Sequence, residues 1–353
     1  MTKVAINGLG RIGRAALKII LKTPELDLVA ANDLVDAEDL AYLITHDTVY
    51  GRYRRSVEAV EGALMIKAVD PSEAGEGSAD VLKEKKIQLS HEKDPARLPW
   101  RDLDIDIVLE CTGVFTKKED LEKHLQAGAG TVILSAPSKS EEIVTVVHGT
   151  NQPEENARII SCASCTTNCI TPVVEVMERR IGINKAIMTT IHAYTASQAI
   201  VDGPHKKRRR GRAGAANFVP TTTGAAVATT KVMPKMKGKF DGVAVRAPIP
   251  SGSISDIIFV TERKTSVEEV NGIFREESRS DRYRDVLGAA DDDLVSSDIV
   301  GDPRASIVDL GMTQVVDGDQ VKVMAWYDNE WGYACQMIRE TVRLAQASSG
   351  ASE

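Results

Sequence analysis

The 353-residue chain has no apolar stretch near the roughly 18 residues needed to cross a membrane, and it opens directly on a strand pattern rather than a secretory leader. These absences predict a cytoplasmic protein. Five cysteines, an odd number in a long chain without a leader, argue against a disulfide framework. Cys162, Cys165 and Cys169 mimic metal-ligand spacing, but no fourth ligand stands at a useful distance and a helix would splay the three side chains, so no metal is expected. There are no internal repeats. An excess of positive charge is also missing: 44 Lys and Arg against 51 Asp and Glu give −7, which favours solubility over nucleic-acid binding. The local exception is Lys206-Lys207-Arg208-Arg209-Arg210-Gly211-Arg212, and no aromatic residue is interleaved there to stack bases. With 42% hydrophobic and 27% charged residues, the composition is that of a globular chain long enough for two domains.

What is present is a reactive-looking thiol. Cys165 lies in Ser164-Cys165-Thr166-Thr167-Asn168-Cys169, a small polar turn entering the apolar run Ile170 to Met177, and His192 follows 27 residues later. A buried cysteine is ordinarily core filler, but the neighbours of this one are hydroxyl residues. A thiol at a helix N-terminus meets backbone N–H groups that favour negative charge. His192 closes a predicted strand, where it can lie beside that helix start as the base.

The N-terminus carries the second signal. An apolar strand runs into Gly8-Leu9-Gly10-Arg11-Ile12-Gly13 and then a helical pattern. In such a motif Gly8 permits the turn, Gly10 admits a pyrophosphate and Gly13 allows close helix–strand packing. The next strand ends at Asn32-Asp33, an acid 20 residues past Gly13, suited to the ribose hydroxyls. A carboxylate there repels the 2′-phosphate of NADP and favours NAD, although Lys22, Arg52 and Lys93 are candidate counter-charges that would admit NADP.

Strands are expected at 3–7, 27–32, 105–110, 131–134 and 143–147 and helices at 11–22, 36–44 and 118–127, with shorter alternating pieces over 50–93. This β-α alternation predicts an α/β fold: an N-terminal, doubly wound, Rossmann-type nucleotide-binding domain. After the helix near Cys165, long strands at 185–192, 239–247, 253–262 and 306–326, with helices at 224–231 and 266–276, predict an α+β catalytic domain with a mixed sheet. The expected division is 1–163 for the NAD-binding domain, completed by a C-terminal helix over 330–347, and 164–329 for the catalytic domain. The tail 348–353 reads as frayed.

These residues carry a resemblance along nearly the whole chain. The segments Asn7 to Arg14, Asn32-Asp33, Glu110-Cys111-Thr112-Gly113-Val114-Phe115, Ser164 to Cys169, His192 to Thr195, Thr221-Thr222-Thr223-Gly224 and Trp326-Tyr327-Asp328-Asn329-Glu330-Trp331-Gly332-Tyr333 occur in the order found in phosphorylating glyceraldehyde-3-phosphate dehydrogenases of the bacterial and eukaryotic type, which the chain resembles. The resemblance implies Cys165 as nucleophile and His192 as base. It implies Thr195 and Arg246 toward the substrate phosphate, with Ser197 where Thr or Asp is common, and Ser164, Thr166, Thr223 and Gly224 toward inorganic phosphate. It implies NAD held by Gly8, Gly10, Arg11, Ile12, Gly13, Asn32, Asp33, Lys93, Thr112, Phe115, Ser135, Asn329 and Tyr333. Glyceraldehyde 3-phosphate, inorganic phosphate and a homotetramer follow as partners, with no membrane or nucleic acid. The basic loop is expected to order only against a neighbouring subunit, an acidic protein or a phosphate. An erythrose-4-phosphate dehydrogenase, or an RNA-binding or interaction protein on a dehydrogenase scaffold, are the alternatives.

Overall fold

The computed structural model describes residues 1–68, 83–154 and 157–350, with side chains through 347. Part of the expected 50–93 region and the end of the tail lie outside the described residues. The chain divides into two units: Met1–Thr145 with Pro153–Cys162 and Met337–Glu353, and Val146–Gln152 with Ala163–Gln336. The division assigns 146–152 to the second unit and cuts the last helix at Met337, both finer than a single boundary at 163.

The first unit is built on nine strands: β1 (Thr2–Asn7), β2 (Leu26–Asn32), β3 (Val57–Val60), β4 (Ala63–Ile66), β5 (Lys85–Ser90), β6 (Ile107–Glu110), β7 (Thr131–Leu134), β8 (Val144–Thr145) and β9 (Ile159–Ser161). Their order in the sheet is β3-β4-β5-β2-β1-β6-β7-β9-β8. Between them come helices α1 (Arg11–Ile20), α2 (Ala37–Thr45) and α3 (Lys118–Gln126). β1 pairs in parallel with β2 on one side and β6 on the other, so the winding reverses at β1. Ligand crevices in such sheets lie at the carboxyl ends of the strands at that switch point. The glycine turn, Asn32-Asp33, Glu110 to Thr112 and Ser135 all follow strand carboxyl ends here. The strand expected over 105–110 begins only at Ile107, because the backbone turns through Asp104 in the left-handed region (φ 51) and Ile105 N bonds back to Trp100 O. The strand expected over 143–147 is reduced to Val144–Thr145.

The second unit holds α4 (Cys165–Arg180), β10 (Ile183–Ala193), β11 (Val219–Thr222), α5 (Ala225–Val232), β12 (Phe240–Ala247), β13 (Ser253–Thr261), α6 (Val267–Glu277), β14 (Leu287–Ala290), β15 (Ser306–Val316) and β16 (Gln320–Tyr327). The final helix, α7 (Trp331–Gly350), begins here. The sheet order β11-β12-β10-β13-β16-β15-β14 mixes parallel and antiparallel pairs. The single strand expected over 306–326 is a hairpin. Asp317 (φ 48) and Gly318 (φ 80), both left-handed, are the centre of its turn, which Asp319 N closes by donating to Val316 O at 3.3 Å before Val316 pairs with Gln320.

One face of this sheet packs Met188, Phe240, Ile257, Phe259, Val321, Val323 and Ala325 into a continuous core with Ile170, Val173, Val174 and Met177 of α4 and Val270 and Phe274 of α6. α7 is started by Asp328, whose Oδ1 accepts from Glu330 N and Trp331 N, both at 2.9 Å.

Candidate active site

Ser164 makes Cys165 the first residue of α4. Its extended backbone (φ −123, ψ 166) and its hydroxyl, which accepts from Thr167 N at 3.2 Å, form an N-cap. Just before it, Ala163 sits in the left-handed region (φ 57), so the chain enters the helix through a sharp, strained corner. The parallel pairing of β10 with β12 places Arg246 directly beside His192.

The sulfur of Cys165 lies 3.3 Å from His192 Nε2. The other ring nitrogen, Nδ1, is 2.7 Å from the Ala193 carbonyl oxygen and 2.6 Å from Arg246 Nη1, which also donates to that carbonyl at 3.0 Å. Nδ1 therefore has an acceptor and a donor beside it. With its hydrogen on Nδ1, the ring gives it to Ala193 and turns a bare Nε2 to the sulfur. With the hydrogen on Nε2, Arg246 fills Nδ1 and the ring donates to the sulfur. Either tautomer finds a partner, which suits a group that takes a proton in one step and returns it in another.

Burial pushes the Cys165 thiol above its ordinary range, against the pull of the Arg246 charge and of hydrogen bonds from Thr166 and its own N–H. Burial, reinforced by Arg246, takes His192 down to about 3. Burial thus opposes the charged forms of both groups, while Arg246 and the N–H groups of the helix start favour a thiolate at Cys165. Cys165 nevertheless keeps a partial opening to solvent, while Cys169 is fully buried with its thiol pushed up to about 12.

Arg246 is half-buried, and its Nε has no hydrogen-bond partner among the described residues. Burial depresses its pKa, and the neighbouring Arg210 cation adds to the effect. Two guanidiniums close enough to destabilise each other, one with an unused donor, make a seat for an anion. Reading the sequence assigned Arg210 only to a charged loop. Its Nε donates to Thr221 Oγ1 at 3.0 Å, and a single loop arginine gives no pattern that could reveal this.

The basic loop finds partners within its own chain. Lys207 donates to Thr222 Oγ1 at 2.7 Å and Arg212 pairs with Asp202 at 2.7 Å, so hydroxyls and one acid offset the like charges.

The other phosphate candidates vary in their freedom. The Thr195 and Ser197 hydroxyls pair with each other at 2.8 Å just past His192. Thr223 Oγ1 accepts from Ala225 N at 3.2 Å at the start of α5, and nothing lies within 4 Å of a Cβ built on Gly224. The Thr166 hydroxyl is buried against Tyr327 Oη at 2.8 Å, and the Ser164 hydroxyl is spent on its cap, so both support the helix start. Tyr327 also bonds Thr190 Oγ1 at 2.8 Å and meets the His192 ring edge-on at 6.0 Å, a role that only packing reveals.

In the first unit, the glycines are held to their shapes. Gly8 (φ +94) would place a Cβ 2.7 Å from Thr112 N, and a Cβ on Gly13 would lie 1.9 Å from the Gly8 oxygen. Gly10 caps α1 with no side-chain acceptor. Asp33 Oδ2 accepts from Leu9 N at 2.7 Å and Oδ1 from Val35 N at 3.0 Å, leaving lone pairs on both oxygens for hydroxyls. The cradle fits a dinucleotide: close-approach glycines, a helix start without a cap and an acid beside them.

Arg11 turns its side chain to Asp47 at 2.7 Å, so only its backbone serves the turn. Asn32 is buried. Its amide donates to Asn7 Oδ1 at 2.8 Å and Glu92 O at 2.9 Å, and its oxygen accepts from Glu92 N at 2.8 Å, which makes it a brace. Lys93 is exposed, Ile12, Phe115 and Ser135 are half-buried, and Thr112 bonds Glu110 through its N–H at 2.8 Å. Asn329 and Tyr333 lie in the second unit, bonded to Ser253 Oγ at 2.8 Å and to Ala163 O at 3.3 Å. Among the described residues no group of His, Cys, Asp and Glu could hold a metal ion, and no helix is long and apolar enough to cross a membrane.

Residues 2–118 match the glyceraldehyde 3-phosphate dehydrogenase NAD binding domain and residues 164–329 match the C-terminal domain of the same family. Among similar proteins, a glyceraldehyde-3-phosphate dehydrogenase of Clostridium pasteurianum is 44% identical, with 96% of this chain and 97% of the relative covered. One from Streptomyces coelicolor is 43% identical over the same shares, and one from Geobacillus stearothermophilus is 43% identical over 95% of this chain and 96% of its own.

Proposed function

The chain belongs to the glyceraldehyde 3-phosphate dehydrogenase family of NAD-dependent dehydrogenases, and on that premise we propose that it oxidises glyceraldehyde 3-phosphate with NAD and inorganic phosphate to 1,3-bisphosphoglycerate through Cys165 and His192. The observation that carries the reading is a thiol at a helix start, 3.3 Å from an imidazole whose far nitrogen abuts an arginine with an unused donor.

Cys165 Sγ attacks the aldehyde carbon. The S–C bond forms, and the thiol proton passes through His192 Nε2 to the former carbonyl oxygen, giving a hemithioacetal. The His192 tautomer that bares Nε2 is the one that can accept a proton, and it next takes the hydroxyl proton as the carbon is oxidised to a thioester. Bound NAD supplies the hydride acceptor for that carbon. Inorganic phosphate, as its monohydrogen dianion, then attacks the thioester carbonyl and releases its proton to solvent as the C–S bond breaks; the sulfur leaves as thiolate, and His192 returns the hydroxyl-derived proton to it. The Cys165 N–H and the His192 ring hold the oxyanion.

Arg246 and Arg210, with Thr195 and Ser197, receive the substrate phosphate. Thr223, Gly224 and the α4 start, shaped by Ser164 and Thr166, receive the attacking one. For NAD, Gly8, Gly10, Arg11, Ile12 and Gly13 offer backbone to the pyrophosphate and Asp33 takes the ribose. Within the first unit, Thr112, Phe115, Ser135 and Lys93 complete the set, with Asn32 bracing from behind. A cytoplasmic location is proposed together with this activity.

The face of the second unit's sheet opposite the core carries Ile187, at 60% exposure, and Val243, at 52%. Ile191, Val245, Ile258, Val260, Met324 and Trp326 are half-buried on the same sheet. So large an apolar surface favours assembly with further copies, and we propose a homotetramer. Steady-state assay with glyceraldehyde 3-phosphate and erythrose 4-phosphate, with and without phosphate, tests the activity. Phosphate-dependent turnover favouring the triose is expected, and a preference for the tetrose would overturn the substrate assignment.

A further inference from the structure

Glu110 ends β6 with no exposed surface. Its Oε2 accepts from Asn7 Nδ2 at 2.6 Å and lies 3.1 Å from His124 Nε2. Its Oε1 accepts from the N–H of Thr112 at 2.8 Å and from the Thr112 hydroxyl. Trp100 Nε1 can only donate, and it does so to His124 Nδ1 at 3.0 Å. Nδ1 therefore bears no hydrogen. The fully buried imidazole is neutral and its one N–H points at Glu110.

Four neutral donors thus converge on a carboxylate in the floor of the sheet. Burying it is costly, and an apolar cluster of the same volume would serve stability as well. What the carboxylate does is hold things at the carboxyl ends of the strands. Through Asn7 it reaches β1, and Asn7 Oδ1 in turn accepts from Asn32 at the end of β2. Through Thr112 it fixes the loop whose N–H is the atom a Cβ on Gly8 would strike at 2.7 Å.

We propose that Glu110, held by His124, is a positioning residue that seats the 111–114 loop under the glycine turn and so sets the affinity for NAD. This rests on the reading that the glycine turn holds the dinucleotide. Neither side chain touches the ligand or the reacting atoms. Glutamine at 110 offers one oxygen in place of two, and its amide hydrogens must face donors on one side, so the loop or the Asn7 tie is released. Glutamine at 124 can still accept from Trp100 and donate to Glu110; leucine can do neither.

The test is calorimetric titration of the full-length protein with NAD, alongside kcat at saturating NAD. In Glu110→Gln and His124→Leu the Kd should rise about tenfold or more, with kcat within about threefold of the parent, while His124→Gln keeps the parent Kd. A parent Kd in Glu110→Gln, an equal loss in kcat and Kd, or His124→Gln and His124→Leu alike in Kd would overturn the proposal. Should Glu110→Gln fail to fold, the contrast between the two His124 variants decides it alone. A parent protein that binds no NAD would instead refute the reading of the glycine turn.

Discussion

Replacing Arg246 with leucine separates its two roles. In the structure its guanidinium contacts His192 Nδ1 at 2.6 Å and Ala193 O at 3.0 Å, and keeps Nε unused. If that free edge and its charge receive the substrate phosphate, the variant loses a charge-assisted hydrogen bond of about 1.5–3 kcal/mol, or roughly 10- to 150-fold in kcat/KM for glyceraldehyde 3-phosphate. Unphosphorylated glyceraldehyde makes no such contact, so its kcat/KM should change only through His192. That change is small because Ala193 O still orients the ring through Nδ1. The assay is initial rates with both aldehydes at saturating NAD and phosphate. The ratio of kcat/KM for glyceraldehyde 3-phosphate to that for glyceraldehyde should fall by about that 10- to 150-fold factor. An equal fall for both substrates, which leaves the ratio unchanged, would mean that Arg246 acts only through His192 and would remove it from the phosphate site.

Asp33→Ser should raise KM for NAD and improve use of NADP. The loss is about 1.5–3 kcal/mol of hydrogen bonding, part of it from the Leu9 N–H that Asp33 steadies; an unchanged NAD to NADP preference counts against the ribose assignment. His192, held down to about 3 from an ordinary 6.5, leaves stability whole above pH 6.5 and erodes it as the pH falls toward 3, since only the unfolded chain takes the proton. Urea unfolding should show the parent losing about 3 kcal/mol more than His192→Gln between pH 7 and 4, and parallel losses would refute it. Sedimentation in moderate salt should give four chain masses, and a fully active monomer would refute the assembly.

Most of this site lies open in the sequence because its chemistry demands rare residue types in fixed local order. Glycine at 8 and 13 answers to backbone clashes, and Ser164 to an N-cap, and both are local rules. What sequence reading misses depends on partners far along the chain. Arg210 joins Arg246 only because β11 pairs with β12, and Tyr327 reaches Thr166 across 161 positions. Asn32 looks like a ligand contact by position, yet its amide is consumed by Asn7 and Glu92, the latter 60 residues away. The hairpin at 317–318 was legible in Asp-Gly but hidden inside one continuous apolar pattern. The charge state of Cys165 turns on burial, which no local motif reports.

Turnover by this mechanism requires an acyl group carried by Cys165. Protein incubated with glyceraldehyde 3-phosphate and NAD without inorganic phosphate, quenched in acid and mapped by peptide mass spectrometry, should carry the 3-phosphoglyceryl adduct on the peptide containing Cys165, and added phosphate should discharge it as acyl phosphate. An adduct on another cysteine, or phosphate-dependent turnover that survives Cys165→Ser, would contradict the account.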